Sequence, residues 1–191
     1  MTIDSPNDGS AGSSARQILD SDEISRALTR MAYEILEANR GAENLVVLGI
    51  PTRGVALARR LAAIMKDVED VDVPVGTLDI TMYRDDLRAN PTRAVGRSRI
   101  PRKVDGALVV LVDDVLYSGR TVVAAFDALR DLGRPRVVRL AVLVDRGHRE
   151  LPVAGDYVGK SIPTSSDEHV RVNLTETDGH DGVSIGRGRS A

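Results

Sequence analysis

Residues Leu108 to Thr121 read LVVLVDDVLYSGRT, and that order restricts the chain to few architectures. The run Leu108 to Val112 is too short for a helix and rich enough in β-branched residues for a strand buried on both faces. Two carboxylates, Asp113 and Asp114, follow it. Val115 to Thr121 then reads as a loop, with Ser118, Gly119 and Thr121 opening a helical pattern that Ala125, Phe126, Leu129 and Leu132 continue. The open end of a helix presents unpaired N–H groups and a positive dipole end, which suits a phosphate. Gly119 lets backbone approach an anion, and the two hydroxyls add donors. Carboxylates at the strand end suit a vicinal diol or a hydrated metal ion. A ribose 5-phosphate carries both features. The spacing GxxxxGK[ST] of the nucleoside-triphosphate loop is absent. An ordinary strand-to-helix turn with two capping acids is the plain alternative.

The remaining composition narrows the class. The chain has 191 residues, enough for one domain with a sizeable core. It has no Trp and one Phe, so Val, Leu, Ile and Ala must build that core. It has no Cys, which excludes disulfides, thiolate metal sites and a cysteine nucleophile, and fits a cytoplasmic setting. No apolar run approaches membrane-spanning length, and MTIDSPNDGSAGSS has neither the basic nor the apolar part of a secretory signal. Net charge is −2, so bulk charge does not point to nucleic acid. Lys66, Lys103 and Lys160 are the only lysines among 26 basic residues. That bias reflects either genome composition or phosphate recognition by the planar arginine fork.

In chain order, residues 1–16 read as a disordered tail. Asp20 and Glu23 form a capping-box pattern ahead of Ile24, Leu28, Met31, Ile35 and Leu36 at helical spacing, with Gly41 placed to end the helix. The other helix face carries Arg26, Thr29, Arg30 and Tyr33, which pattern alone reads as a solvated face. Leu45 to Ile50 is a buried strand. Pro51 to Gly54 turns into a helix from Val55, a second strand-to-helix anion site. Val71 to Met82 alternates as a strand towards a sheet edge. Residues 83–103 form a long, basic, polar loop, either functional or merely mobile. Val137 to Val144 is a further strand, and Val170 to Thr175 an edge strand. Strands alternating with helices predict an α/β fold with a mostly parallel, twisted sheet flanked by helices. Ligands of such sheets bind at the carboxyl ends of the strands. One domain over 17–180 is expected, with a loose tail over 181–191.

Val109 to Thr121 resembles the phosphoribosyl-pyrophosphate signature of type I phosphoribosyltransferases. ALTR (27–30), GIPTRG (49–54), DITMYRDDL (79–87), LAVLVDRGHRELP (140–152) and DYVGKSIPTS (156–165) narrow the resemblance to the bifunctional pyrimidine operon regulators with uracil phosphoribosyltransferase activity. The resemblance implies the type I phosphoribosyltransferase fold, with a small hood (145–175) over the strand ends. It implies synthesis of UMP and pyrophosphate from uracil and phosphoribosyl pyrophosphate with Mg²⁺, which is held mainly by substrate and water near Asp113 and Asp114. Val115, Leu116, Tyr117, Ser118, Gly119, Arg120 and Thr121 would bind the 5′-phosphate. Thr52, Arg53 and Gly54 would bind pyrophosphate, with Arg84 near it on a flexible closing loop. Tyr157 would stack on uracil and the Val158 backbone would bond its edge, while Lys160 would meet a uracil carbonyl or an RNA phosphate. Tyr117 stands where several purine-salvage relatives carry an acid. Arg26, Thr29, Arg30, Arg146, His148 and Arg149 would contact the leader mRNA of a pyrimidine operon in response to UMP or UTP. A homodimer or larger homo-oligomer is expected. A salvage enzyme for another base, without RNA binding, is the alternative.

Overall fold

The computed structural model describes residues 15–85 and 96–187. Strand β1 (Arg16–Leu19) leads into helix α1 (Ser21–Asn39). The capping box is present: the Asp20 carboxylate accepts the Glu23 amide at 2.7 Å and Glu23 accepts the Asp20 amide at 3.0 Å. Such a cap contributes about 1 kcal/mol. Arg40, in the left-handed conformation, ends the helix one residue before the expected Gly41. Next come β2 (Leu45–Gly49), α2 (Arg53–Glu69), β3 (Val75–Thr77) and a short 3₁₀ turn at Thr81–Tyr83. The chain continues with β4 (Leu108–Leu116), α3 (Arg120–Leu132), β5 (Val137–Asp145), β6 (Tyr157–Ser161), β7 (Glu168–Asn173), α4 (Thr175–Asp178) and β8 (Gly182–Arg187).

Five strands form a parallel sheet in the order β3-β2-β4-β5-β6. Strand alternation decides which helix each side chain meets. Val47, Val110 and Val112 face the cluster built with Ile24, Leu28, Leu57 and Leu61 of α1 and α2. Val46, Leu48, Val109 and Leu111 face the cluster built with Val122, Ala125 and Leu129 of α3. Both faces are covered, so β2 is buried at every position and reads as a continuous apolar run.

A second, antiparallel sheet runs β1-β8-β7. It corrects two expectations. Residues 182–187 are a paired central strand rather than a loose tail, and Arg16 begins β1 rather than closing a disordered segment. Residues 1–14 and 188–191 lie outside the described residues. The physical reason is burial: Val183 and Ile185 alternate with Gly182, Ser184 and Gly186 and pack beside Leu19 and Val172. The expected strand over 71–82 contracts to Val75–Thr77. The Asp79 carboxylate accepts the Thr81 amide at 2.8 Å and bends the chain out of extension. Leu78 and Ile80 stay buried even so.

Two arginines of α2 fasten the small sheet to the main one. Arg60 donates to both oxygens of Glu176 and both of Asp181, at 2.6 to 2.8 Å. Arg53 donates to both oxygens of Asp178, at 3.0 and 2.7 Å.

Candidate active site

Strand β4 runs four residues past the apolar core before it turns. Asp113, Asp114 and Val115 therefore lie on the strand, and Val115 does not open the expected loop. They sit at the floor of a cleft of about 370 Å³, whose walls come from Pro51 and Thr52, from Asp79 to Thr81, and from Arg84, Gly96 and Thr121. Asp113 is 7% exposed. Burial, and then the neighbouring Asp114 carboxylate, push the Asp113 carboxyl well above the usual carboxylate range. Its Oδ1 accepts the Asp114 amide at 2.9 Å, and Asp114 Oδ1 accepts the Val115 amide at 3.0 Å. A carboxyl held this way is stabilised in its charged form by any cation that enters the cleft.

Two walls of the cleft adjoin helix starts without a side-chain cap. Thr52 before α2 and Gly119 before α3 make no capping hydrogen bond, whereas α1 is sealed by Asp20. The two open N-termini leave N–H groups and positive dipole ends directed outward. The β4–α3 loop forms a second hollow of about 190 Å³, lined by Tyr117 to Val122 and shared with Asp113, Val115 and Arg84. Gly119 holds φ +94°, a conformation that other residues reach only with strain. In the β2–α2 turn, a Cβ on Gly54 would lie 2.4 Å from the Val112 carbonyl oxygen, so only glycine lets that turn rest on β4. Arg84 Nη1 lies 3.5 Å from Thr121 Oγ1, and its charge reaches Asp113. The structure thus gathers Thr52, Arg84, Asp113, Asp114, Val115 and Thr121 around one cleft.

Other predicted residues stand differently. Arg53 is turned to Asp178, whose hydrogen bonds raise its pKa. The Arg120 side chain is half exposed and pairs with Asp85, which also lines the hollow, and with Glu150. Tyr157 does not reach the cleft: it is 7% exposed in the cluster beneath α1, because its strand register pairs it with Ala141, deep in the sheet. That corrects the expected stacking role. The Val158 carbonyl accepts Arg30 Nη2 at 2.9 Å, and the Gly159 carbonyl accepts the same nitrogen at 2.7 Å. Lys160 Nζ reaches towards the Ile18 carbonyl at 3.5 Å.

The 146–149 segment is tied into the fold by its side chains, with Arg146 buried, Arg149 half-buried and His148 exposed. Arg146 is 6% exposed, with its guanidinium 4.2 Å from the centre of the Tyr117 ring. It donates to Thr164 Oγ1 and to the Ser165 carbonyl. His148 Nε2 lies 2.6 Å from the Thr164 carbonyl, and its ring meets Tyr117 edge-on. Arg149 donates to the Tyr117 and Val153 carbonyls and to Asp145. The Ser118 carbonyl accepts the amides of Glu150 and Leu151. The loop after β4 and the segment after β5 are one bonded unit. On α1, Arg26 and Tyr33 are exposed and Thr29 donates to the Ser25 carbonyl, while Arg30 pairs with Glu34 as well as β6.

Sequence reading passed over Asp79, Ile80 and Thr81 as cleft walls and Asp178 as the partner of Arg53. The acid-rich TETDGHD did carry a signal for the second: three carboxylates in seven residues need cations nearby. Among the described residues no three acids or histidines form a metal cage. Asp113 and Asp114 offer two carboxylates, which suits a divalent cation that takes its remaining oxygens from water and ligand. No helix is long and apolar enough to cross a membrane among those residues.

Residues 14–177 match the family model described as a phosphoribosyl transferase domain. The chain is 61% identical to the bifunctional protein PyrR of Streptomyces coelicolor over 173 residues, covering 90% of each. It is 60% identical to that of Pelotomaculum thermopropionicum, covering 88% of this chain and 94% of the relative. Among solved structures, a hypoxanthine-guanine phosphoribosyltransferase from Bacillus anthracis matches with a TM-score of 0.67 at 19% identity, covering 91% of this chain and 99% of that one. A hypoxanthine phosphoribosyl transferase from Trypanosoma cruzi matches at 0.70 and 18% identity, covering 95% of each. At these identities the structures speak for the fold alone.

Proposed function

The chain belongs to the phosphoribosyl transferase family and, within it, to the bifunctional PyrR proteins, and from that premise we propose how its residues divide two tasks. The tasks are uracil phosphoribosyltransferase activity and regulation of a pyrimidine operon through its leader RNA. The observation that carries the assignment is an acid pair, Asp113 buried and Asp114 half-buried, flanked in one cleft by two helix starts without a side-chain cap.

Phosphoribosyl pyrophosphate spans the cleft. Its 5′-phosphate takes the amides and hydroxyls of Ser118 to Thr121 at the start of α3, and its pyrophosphate takes the Thr52–Gly54 turn. Asp113 and Asp114 hold the ribose diol. Mg²⁺, bound with the substrate near these two acids, supplies charge neutralisation for the leaving pyrophosphate. Arg84 stands beside the acids and adds donors to the same leaving group. As positive charge grows at the anomeric carbon, the Asp113 and Asp114 carboxylates steady it. Uracil N1 forms the new bond as the bond to pyrophosphate breaks. With Tyr157 beneath α1, the pyrimidine packs on Val115, which lines both hollows.

UMP formation should be measured with uracil beside cytosine, hypoxanthine and orotate, with Mg²⁺ present. Turnover of uracil alone is expected. Turnover of hypoxanthine would replace this reading with salvage of another base.

RNA is met by α1 and the adjoining β6 edge. Arg26 is exposed there, and Arg30 and Lys160 lie along β6. Because Arg146 is buried, it supports the surface instead of touching RNA. Arg26→Glu should weaken leader-RNA binding at least tenfold and leave UMP synthesis intact, as filter binding and turnover would report; about tenfold corresponds to one strong phosphate contact reversed. Arg30→Glu would also strip two β6 carbonyls of their donor and should lower the melting temperature. Equal loss of RNA binding and turnover in Arg26→Glu would remove α1 from the RNA surface.

A further inference from the structure

We propose that Tyr83 and Arg120 are positioning residues that aim Arg84 at the pyrophosphate, an inference that rests on the reading of Arg84 given above. Three consecutive side chains leave the stem at 83–85 in three directions. Tyr83 donates its hydroxyl hydrogen to Asp131 Oδ2 at 2.7 Å. Arg84 enters the cleft beside Thr121 and Asp113. Asp85 accepts from Arg120 Nη1.

Both anchors belong to one helix. Asp131 lies in the last turn of α3 and Arg120 is its first residue. They stand eleven positions apart on the helix, about 16 Å of rigid rod. The stem is thereby tied to the rod on either side of Arg84. Arg120 is itself held: its Nε and Nη2 meet Glu150 Oε2 at 2.8 and 2.7 Å. Glu150 is fixed in turn by its amide, which donates to the Ser118 carbonyl. Arg120 therefore joins the stem of Arg84 to the phosphate loop and to the segment after β5.

Stability does not account for this bracket. The Arg120, Asp85 and Glu150 side chains are half exposed. Exposed ion pairs of this kind add little to folding. What the bracket does supply is direction. Arginine has many rotamers, and a long side chain on an untied stem spends little time in the one orientation that meets the departing oxygen. Misplacement by about 1 Å of a group that acts on the transition state costs up to about a hundredfold in rate.

The test compares Tyr83→Phe, Arg84→Gln and the double variant, with steady-state turnover, KM for phosphoribosyl pyrophosphate, UMP binding and thermal unfolding as readouts. Tyr83→Phe should lower turnover about tenfold. UMP affinity and the melting temperature should stay unchanged, because UMP carries no pyrophosphate. The double variant should be no slower than Arg84→Gln alone, since a residue that acts through Arg84 has nothing left to aim. Asp131→Asn, which keeps an acceptor for the hydroxyl, should retain turnover, and Asp131→Ala should match Tyr83→Phe. Multiplicative losses in the double variant would overturn the proposal, because Tyr83 would then act independently of Arg84. A fall in turnover matched by a fall in melting temperature would overturn it as well. Undiminished turnover in Arg84→Gln would remove the reading of Arg84 itself, a distinct result from either.

Discussion

The two loops that lead from a strand into a helix at this cleft share one plan and use it differently. Both start at the carboxyl end of a neighbouring buried strand, both carry a glycine and an arginine, and both open a helix with no side-chain cap. In the β4–α3 loop the glycine is needed for its backbone angle, at φ +94°, and the half-exposed arginine pairs with Asp85 and Glu150. In the β2–α2 loop the glycine is needed for closeness to Val112, and the arginine is held by Asp178 of the small sheet. The first loop is left to backbone amides and hydroxyls. The second carries a full cation, already neutralised by the protein. Under the proposed assignment, amides suffice for the 5′-phosphate, which stays bound throughout the reaction. A cation under restraint suits a group that must be gripped and then released.

The largest test of that contrast replaces each glycine with alanine. Gly54→Ala drives a Cβ to 2.4 Å from the Val112 carbonyl oxygen, which already accepts the Ile50 amide at 2.9 Å. Neither backbone can give way, so a loss of about 3 kcal/mol or a failure to fold is expected from urea unfolding. Gly119→Ala keeps its nearest contact at 3.3 Å, to a Val153 methyl, and is strained mainly by its angle. It should cost about 1 kcal/mol and raise KM for phosphoribosyl pyrophosphate about tenfold. Equal losses of stability would erase the distinction between closeness and angle.

Removing the restraint on Arg53 sharpens the contrast further. Asp178→Asn leaves an acceptor in place but no negative charge. Arg53 then presents its charge to the cleft, and phosphoribosyl pyrophosphate should bind about threefold tighter, the order expected of a partly buried pair near the surface. UMP, which lacks pyrophosphate, should bind as before. Weaker binding of phosphoribosyl pyrophosphate would mean that Asp178 orients Arg53 for the ligand instead of holding it back.

The central unit was legible because its signals are local. A β-branched run, two acids and a small-residue loop need only strand and helix geometry to place Asp113, Asp114 and Thr121. The α1 capping box was legible for the same reason. Side chains whose roles depend on distant segments were not. Nothing near Tyr157 in sequence says that α1 covers it, since its neighbours Asp156 and Val158 share one face yet are one polar and one apolar, so no period of two marks the buried side. Nothing near Arg53 announces Asp178, 125 residues later. The strand Gly182–Arg187 hid behind its glycines and serine, although Val183 and Ile185 carried the period of two. Arg146 read as a surface charge because arginine usually is one. Its burial depends on Tyr117, which another strand delivers.

The smallest effect separates the two loops by acid. The carboxylates of Glu176, Asp178 and Asp181 lie below their usual range, chiefly through hydrogen bonds from Arg60 and Arg53. A group depressed in the folded state stabilises it above the unfolded pKa, and that contribution disappears as pH falls through the folded value. The grip of the β2–α2 side on the small sheet should therefore weaken below about pH 4, the ordinary carboxylate value. Asp113, on the β4–α3 side, has the opposite sign. Its folded pKa is raised, so the folded chain holds this proton more tightly than the unfolded chain does, and stability grows as pH falls towards the ordinary carboxylate value. Thermal unfolding followed from pH 7 downward should rise slightly and then fall. Asp113→Asn should flatten the rise and keep the fall, because asparagine has no proton to take up. Arg60→Gln should do the reverse, since Glu176 and Asp181 would return towards ordinary values and titrate alike in both states. A rise that survives in Asp113→Asn would move the buried acid elsewhere and leave the cleft without its distinguishing charge.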